Sequence, residues 1–187
     1  IERINVTAGI RGQYASRLHY EISAGYSVVD NGLLDAVAVA GPLMGAVAYR
    51  DYGLLHADAA MEWKSNDVEA GAALRFRGMG ADDYEGAFQM APVGANFRFI
   101  YNWNKRIYGG VTAELASSRK GSGLYDDTMY DLSIPGYADL GLYAEYKFSH
   151  KLSFWLSGGN LLNMNIQRHP AYTGSGISLT AGIAVNI

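Results

Sequence analysis

The chain has no cysteine, so neither a disulfide framework nor thiol chemistry is open to it. Proline is scarce, with 4 in 187 residues. No run of about 18 apolar residues occurs, which excludes a transmembrane helix. There is no excess of positive charge either. The formal net charge is -3, and that offers no electrostatic case for nucleic-acid binding. No signal peptide is visible, and the chain opens on Ile1 rather than methionine, so a processed product or a fragment is expected. No helix with a convincing cap and no interdomain linker can be found, and residues 1–187 read as a single domain.

What is present is glycine, 23 residues, tyrosine, 14 residues, and period-2 alternation. Ile4, Val6, Ala8, Ile10, Gly12 and Tyr14 fall on one side of a first strand. The same pattern returns around 18–26, 55–64, 68–77, 95–103, 107–115, 139–148, 152–157 and 177–187. That predicts nine strands of roughly ten residues. Thirteen Asp, Glu, Lys and Arg residues fall inside them, each opposite the apolar side. Three strands constrain this parity by carrying three charges each: Asp58, Glu62 and Lys64; Glu69, Arg75 and Arg77; Asp139, Glu145 and Lys147.

The connections alternate too. Ala15-Ser16-Arg17, Ser65-Asn66-Asp67, Asn104-Lys105 and Ser149-His150-Lys151 read as tight turns. Long loops are expected at about 28–53, 78–94, 117–137 and 161–176. Short turns at one end and long loops at the other are the pattern of an outer-membrane barrel. Residues 33–49, with Ala-Val alternation around Pro42, either extend the flanking strands or fold into the loop. An odd number of strands implies a truncated barrel, or one further strand hidden in 33–49, since single-chain barrels have even counts.

Alternation alone does not say which side faces out. About ten residues at ~3.3 Å rise and ~40° tilt cover roughly 25 Å, the height of a barrel's apolar band. Tyr14, Tyr20, Trp63, Tyr101, Trp103, Tyr146, Phe148 and Phe154 lie on the apolar side near the short-turn ends, as a membrane-interface girdle would. The rest of that side is rich in Ala and Gly, which lipid chains can fill against and a packed interior cannot. The fold class expected is therefore all-β, an antiparallel up-and-down transmembrane β-barrel with about 9–10 strands present. Its lumen would carry a polar network of Glu21, Asp58, Glu62, Glu69, Arg75, Arg77, Arg98 and Glu114. His19, His56, His150 and His169 do not cluster at metal spacing. The acidic tips at Asp82-Asp83-Tyr84-Glu85 and Tyr125-Asp126-Asp127 lack the spacing of a calcium loop. Gly121-Ser122-Gly123 lacks the lysine and helix of a phosphate loop. No catalytic constellation and no cofactor are implied.

The last fifty residues carry a more specific pattern. Tyr137-Ala138-Asp139-Leu140-Gly141-Leu142 opens a strand, and Lys151-Leu152-Ser153-Phe154-Trp155-Leu156 follows. Asn160-Leu161-Leu162-Asn163, Gln167-Arg168, Pro170, Tyr172, Gly176 and Ala181-Gly182-Ile183 complete it. This resembles the C-terminal strands of TonB-dependent outer-membrane receptors, those of the Bacteroidetes type in particular. The resemblance implies a barrel of about 22 strands with a plugged lumen. It also implies uptake of scarce nutrients such as metal chelates, vitamins or glycans, driven through a TonB box. The sequence shows neither a plug nor a TonB box. The chain is thus expected to be the C-terminal barrel part of such a receptor in the bacterial outer membrane. Its partners would be outer-membrane lipid, the missing N-terminal strands and plug, and the TonB complex only through the parent receptor. A small standalone outer-membrane barrel with a structural or adhesive role, and a soluble β-barrel binding an apolar ligand, remain open at this point.

Overall fold

A computed structural model of the chain describes residues 2–38, 44–80, 90–125, 128–169 and 172–186. The acidic tip at 82–85 and Asp126-Asp127 lie outside these residues. The first six strands are β1 (Glu2–Tyr14), β2 (Leu18–Ala38), β3 (Met44–Lys64), β4 (Val68–Gly80), β5 (Val93–Trp103) and β6 (Ile107–Ala116). Then come β7 (Arg119–Tyr125), β8 (Thr128–Ile134), β9 (Tyr137–Lys147) and β10 (Leu152–Gly159). Two short pieces, β11 (Gln167–His169) and β12 (Tyr172–Thr173), precede β13 (Ser178–Val185). All nine strands expected from the alternation are found, as β1–β6, β9, β10 and β13.

These nine form one antiparallel up-and-down sheet in the order β1-β2-β3-β4-β5-β6-β9-β10-β13. The sheet is not closed. Among the described residues β1 pairs only β2, and β13 pairs only β10.

Two of the expected long loops are instead largely strand. β2 and β3 are 21 residues each, and their far halves stay paired from Leu33↔Tyr49 to Ala38↔Met44. Residues 33–38 and 44–49 therefore lengthen existing strands, and residues 39–43 lie outside the described residues. The register shifts once, between Val29 and Gly32. There Asn31 takes a left-handed φ of 52°, and its N–H donates to Asp51 Oδ1 at 2.7 Å. At ~3.3 Å per residue such strands reach about 70 Å, roughly twice what a bilayer needs. The second loop, 117–137, folds as the hairpin β7–β8. It leaves the sheet between β6 and β9, yet β7 runs parallel to the far end of β2 through Ala36↔Ser122 and Ala38↔Leu124.

The short turns are tight for a local reason. Ala15 and Ser16 (φ 50° and 52°), and Asn104 and Lys105 (φ 52° and 56°), are left-handed. Arg17 N donates to Tyr14 O at 3.2 Å and Arg106 N to Trp103 O at 3.0 Å. Two consecutive left-handed residues inside such a bond make a type I′ turn, whose twist matches that of the strands. The ends of the turns shift by about five residues across six strand spacings, from Tyr14↔Leu18 to Lys147↔Ser153. With ~3.3 Å per residue and ~4.8 Å between strands, that is a tilt of roughly 30°.

The packed interior lies at the long-loop end. Val29, Ile134, Tyr137 and Ile166 are its buried apolar residues, and Arg119 and Asn160 are buried with them. Along the rest of the wall, backbone pairing rather than a core holds the strands. Side chains there fit cross-strand neighbours. Trp155 lies over its partner Gly182, where a Cβ would stand 2.5 Å from the indole Cζ2. Gly182→Val should unseat that ring and weaken the β10–β13 seam by ~1–3 kcal/mol. The check is heat-dependent gel mobility, in which the unboiled compact band should be lost at a lower temperature, with Gly182→Ala in between.

Candidate functional site

Residues directly opposite in an antiparallel pair point to the same side, so the register traces each face across the sheet. One row runs Gln13, His19, Glu62, Gly71, Arg98, Thr112, Gly141. The next, nearer the long loops, runs Arg11, Glu21, Ala60, Ala73, Asn96, Glu114, Asp139. Beyond it come Ser23, Asp58, Arg75 and Gly94, and then Gly25, His56 and Arg77. Glu69 sits two residues below the first row, opposite Lys64. All eight residues expected to form a polar network therefore share one face.

They do not all interact. Arg77 Nη2 meets Asp58 Oδ1 at 2.8 Å, a diagonal partner, although Arg75 is the residue directly opposite Asp58. Arg77 Nη1 also donates to Phe76 O at 2.7 Å and Ala57 O at 3.3 Å. Glu69 pairs with Lys64 at 2.8 Å on an open surface, where such a bridge contributes little. Glu21, Glu62, Arg75 and Arg98 form no ion pair with a described residue. Between Glu62, Glu69, Arg98 and Glu114 lies a hollow of about 540 Å³, floored by Gly71, Ala73 and Gly141.

Glu114 and Asp139 are directly opposite, a like-charge pair that would weaken the sheet if left alone. Each is instead engaged by groups from the long-loop end. Glu114 accepts from Tyr137 Oη at 2.6 Å and pairs with Arg168 at 3.1 Å. Asp139 Oδ1 accepts from Asn160 N at 2.9 Å. The Asn160 side chain donates to Met164 O at 2.8 Å and Ser175 O at 3.1 Å, and its Oδ1 accepts from Met164 N at 3.0 Å. Arg119, at the base of β7, donates to Gln167 O at 2.6 Å and Arg168 O at 2.9 Å. The acidic pair is thus where the 160–177 loop and the β7–β8 hairpin are tied to the wall. Sequence reasoning missed Arg119, Tyr137, Asp139, Asn160 and Arg168 as one cluster. The signal was there in Asn160-Leu161-Leu162-Asn163 and Gln167-Arg168, quoted for their resemblance alone.

The opposite face is free of charge over the height of the wall. Its row Tyr14, Leu18, Trp63, Ala70, Phe99, Val111, Leu142, Gly158, Leu179 crosses all nine strands. Of the eight aromatic residues expected at a membrane interface, seven lie on this face and Phe148 follows the end of β9; all eight are exposed, from 37% for Trp63 to 73% for Tyr14. Toward the long loops the face runs as far as Ile4, Val28, Gly53 and Gly80. The next row is Glu2 opposite Asp30. Ten residues separate Tyr14 from Ile4, about 28 Å after a tilt of roughly 30°, which matches an apolar band. Among the described residues no group of three His, Asp or Glu side chains could hold a metal ion.

This arrangement is shared with solved structures. The pyoverdine outer membrane receptor FpvA from Pseudomonas aeruginosa PAO1, bound to pyoverdine, superposes with a TM-score of 0.79 at 14% identity, over 99% of this chain and 30% of that one. The siderophore receptor PirA from Acinetobacter baumannii matches at 0.77 and 12%, over 98% and 31%. The FrpB iron transporter from Neisseria meningitidis matches at 0.70 and 12%, over 97% and 30%. The fold is that of a TonB-dependent receptor barrel wall. The chain spans about three tenths of the length of these receptors. No family model matches it, and no curated protein does.

Asn160→Ala should remove three hydrogen bonds from a buried group and leave a left-handed alanine at φ 48°. A loss of ~1–3 kcal/mol local to the loop is expected. Limited proteolysis should then cut within 161–177 faster than in the parent protein. Asn160→Gly, which relieves the backbone alone, should remain nearly as sensitive.

Proposed function

We propose that these strands form part of the wall of an outer-membrane receptor that takes up a metal chelate of the siderophore class, with its apolar face in lipid and its polar face toward the lumen. The observation that carries this is the charge-free band, one bilayer high and bounded by Glu2 and Asp30 at one end and the aromatic residues at the other. Solved structures with this fold include a copper transporter, an iron transporter and siderophore receptors, which supports the substrate class.

In this reading Glu21, Asp58, Glu62, Glu69, Arg75, Arg77, Arg98 and Glu114 line the lumen. They offer hydrogen-bonding groups of both signs to a plug and to water. Tyr14, Tyr20, Trp63, Tyr101, Trp103, Tyr146, Phe148 and Phe154 anchor the wall at the headgroup level of the periplasmic leaflet. No covalent step is required. The loop cluster on Glu114 and Asp139 holds the outer mouth, and TonB-dependent energy would reach the wall through the rest of the receptor.

Two neighbouring positions test the assignment of faces. Leu74 lies near mid-height on the apolar face, 59% exposed, and Ala73 lies beside it on the polar face. Leu74→Arg should cost about 2–4 kcal/mol in the bilayer and deplete folded protein from outer-membrane fractions, whereas Ala73→Arg should leave it unchanged. Equal effects would overturn the reading. Uptake of a labelled ferric siderophore that needs both this protein and TonB would establish the transport arm.

A further inference from the structure

The apolar face is not uniform. Between β5, β6, β9 and β10 it opens into a groove of about 500 Å³, walled by Phe99, Tyr101, Leu142 and Leu156 and floored by Gly109 and Ala144. Its volume lies within the roughly 300–1,000 Å³ of ligand pockets. At Gly109 a Cβ would meet nothing within 4 Å, so the space is open rather than filled by a neighbouring side chain. The row Tyr101, Gly109, Ala144, Leu156 is one step above Trp103, Ile107, Tyr146, Phe154. The groove therefore starts at the level of Tyr101, about 7 Å inside Trp103, Tyr146 and Phe154.

Charge at that end is distributed unevenly. The two turns that join the strands of the groove are Asn104-Lys105-Arg106 and Ser149-His150-Lys151. They carry Lys105, Arg106 and Lys151, all exposed. The other two short turns carry one charge each, Arg17 between β1 and β2 and Asp67 between β3 and β4. The cations thus stand below the groove, at the depth of a headgroup phosphate, while the groove lies at the depth of the acyl chains.

We propose that this is a binding site for one anionic glycerophospholipid of the periplasmic leaflet. An acyl chain lies along Gly109 and Ala144, and the phosphate is held by Lys105, Arg106 and Lys151. Each such cation near a membrane surface strengthens binding about fivefold. Filling the floor of the groove removes the equivalent of roughly two buried methylenes, about a tenfold loss. The inference rests on the membrane reading of this face.

The test is native mass spectrometry of the intact protein in detergent, delipidated and then supplied with phosphatidylglycerol or phosphatidylcholine of the same chains. One phosphatidylglycerol should be retained in preference to phosphatidylcholine. Gly109→Leu, which adds a lipid-compatible side chain in open space, should reduce that retention about tenfold. Lys105→Gln with Arg106→Gln should reduce it while leaving the weaker phosphatidylcholine signal unchanged. Heat-dependent gel mobility confirms that each variant is folded. Equal retention by Gly109→Leu, or equal retention of the two lipids, overturns the site. So does a second copy of the chain occupying the face. Failure of the membrane reading is distinguishable, because the protein would then stay monodisperse without detergent.

Discussion

The hydrogen-bond register between neighbouring strands is the constraint on which everything else here depends. A strand cannot satisfy its own N–H and C=O groups, and in hydrocarbon no water can do so. Each strand must therefore pair along its whole length. Once β2 is paired with β3 through Leu18↔Trp63 and Ala24↔Ala57, the side of every intervening residue is decided, since a slip of one residue would carry Asp58, Glu62 and Lys64 to the other face. The same constraint bears on the two edges. Among the described residues β1 and β13 have one neighbour each, and an open edge is not tolerated in lipid. Placed in a bilayer, the sheet requires further strands beside both, as a closed receptor barrel provides.

The register also explains where the charges could accumulate. Facing pairs on the polar side include Arg11 with Glu21, which attract, and Glu114 with Asp139, which repel. The repelling pair sits at the long-loop end, and it is the one that recruits outside partners: Tyr137, Arg168 and the backbone of Asn160. A like-charge pair in the wall thus becomes the attachment point of a loop. Packing follows the same division. The buried side chains gather where loops fold back on the sheet, and the wall itself is held by its ladder and by cross-strand fits such as Trp155 on Gly182.

The wall was legible in the sequence because one face of the sheet is free of charge and the other is polar, which imposes a period of two. Thirteen charges kept to that period leave little freedom. Legibility failed where the imposition stops. Beyond Val28 and Gly53 both faces of β2 and β3 leave the band, alternation no longer separates charge from apolar surface, and the strands read as a loop. The β7–β8 hairpin was hidden for another reason. Arg119-Lys120-Gly121-Ser122-Gly123 has the composition of a flexible turn, and its pairing with β2 is a contact between segments more than eighty residues apart. Which polar residues meet was likewise unreadable. Arg77 reaches Asp58 diagonally, and Arg168 reaches Glu114 from a loop. Both depend on register and loop path, and composition records neither.

One property of the wall is independent of register, and the aromatic residues record it. Tyr20 lies one row above Tyr14 and Trp63, Tyr101 one row below them, and Trp103, Tyr146 and Phe154 a row lower again. If cross-strand packing placed these rings, they would follow a single row. Instead they step down as the strands tilt, keeping level with the short turns. A set of residues that crosses the ladder along a plane is not placed by pairing alone, and in the proposed membrane placement that plane is where hydrocarbon meets headgroups. The chain therefore carries two superimposed patterns: a parity that separates its faces, and an oblique aromatic line that stays level with the short turns, where the proposed membrane placement sets the edge of the bilayer.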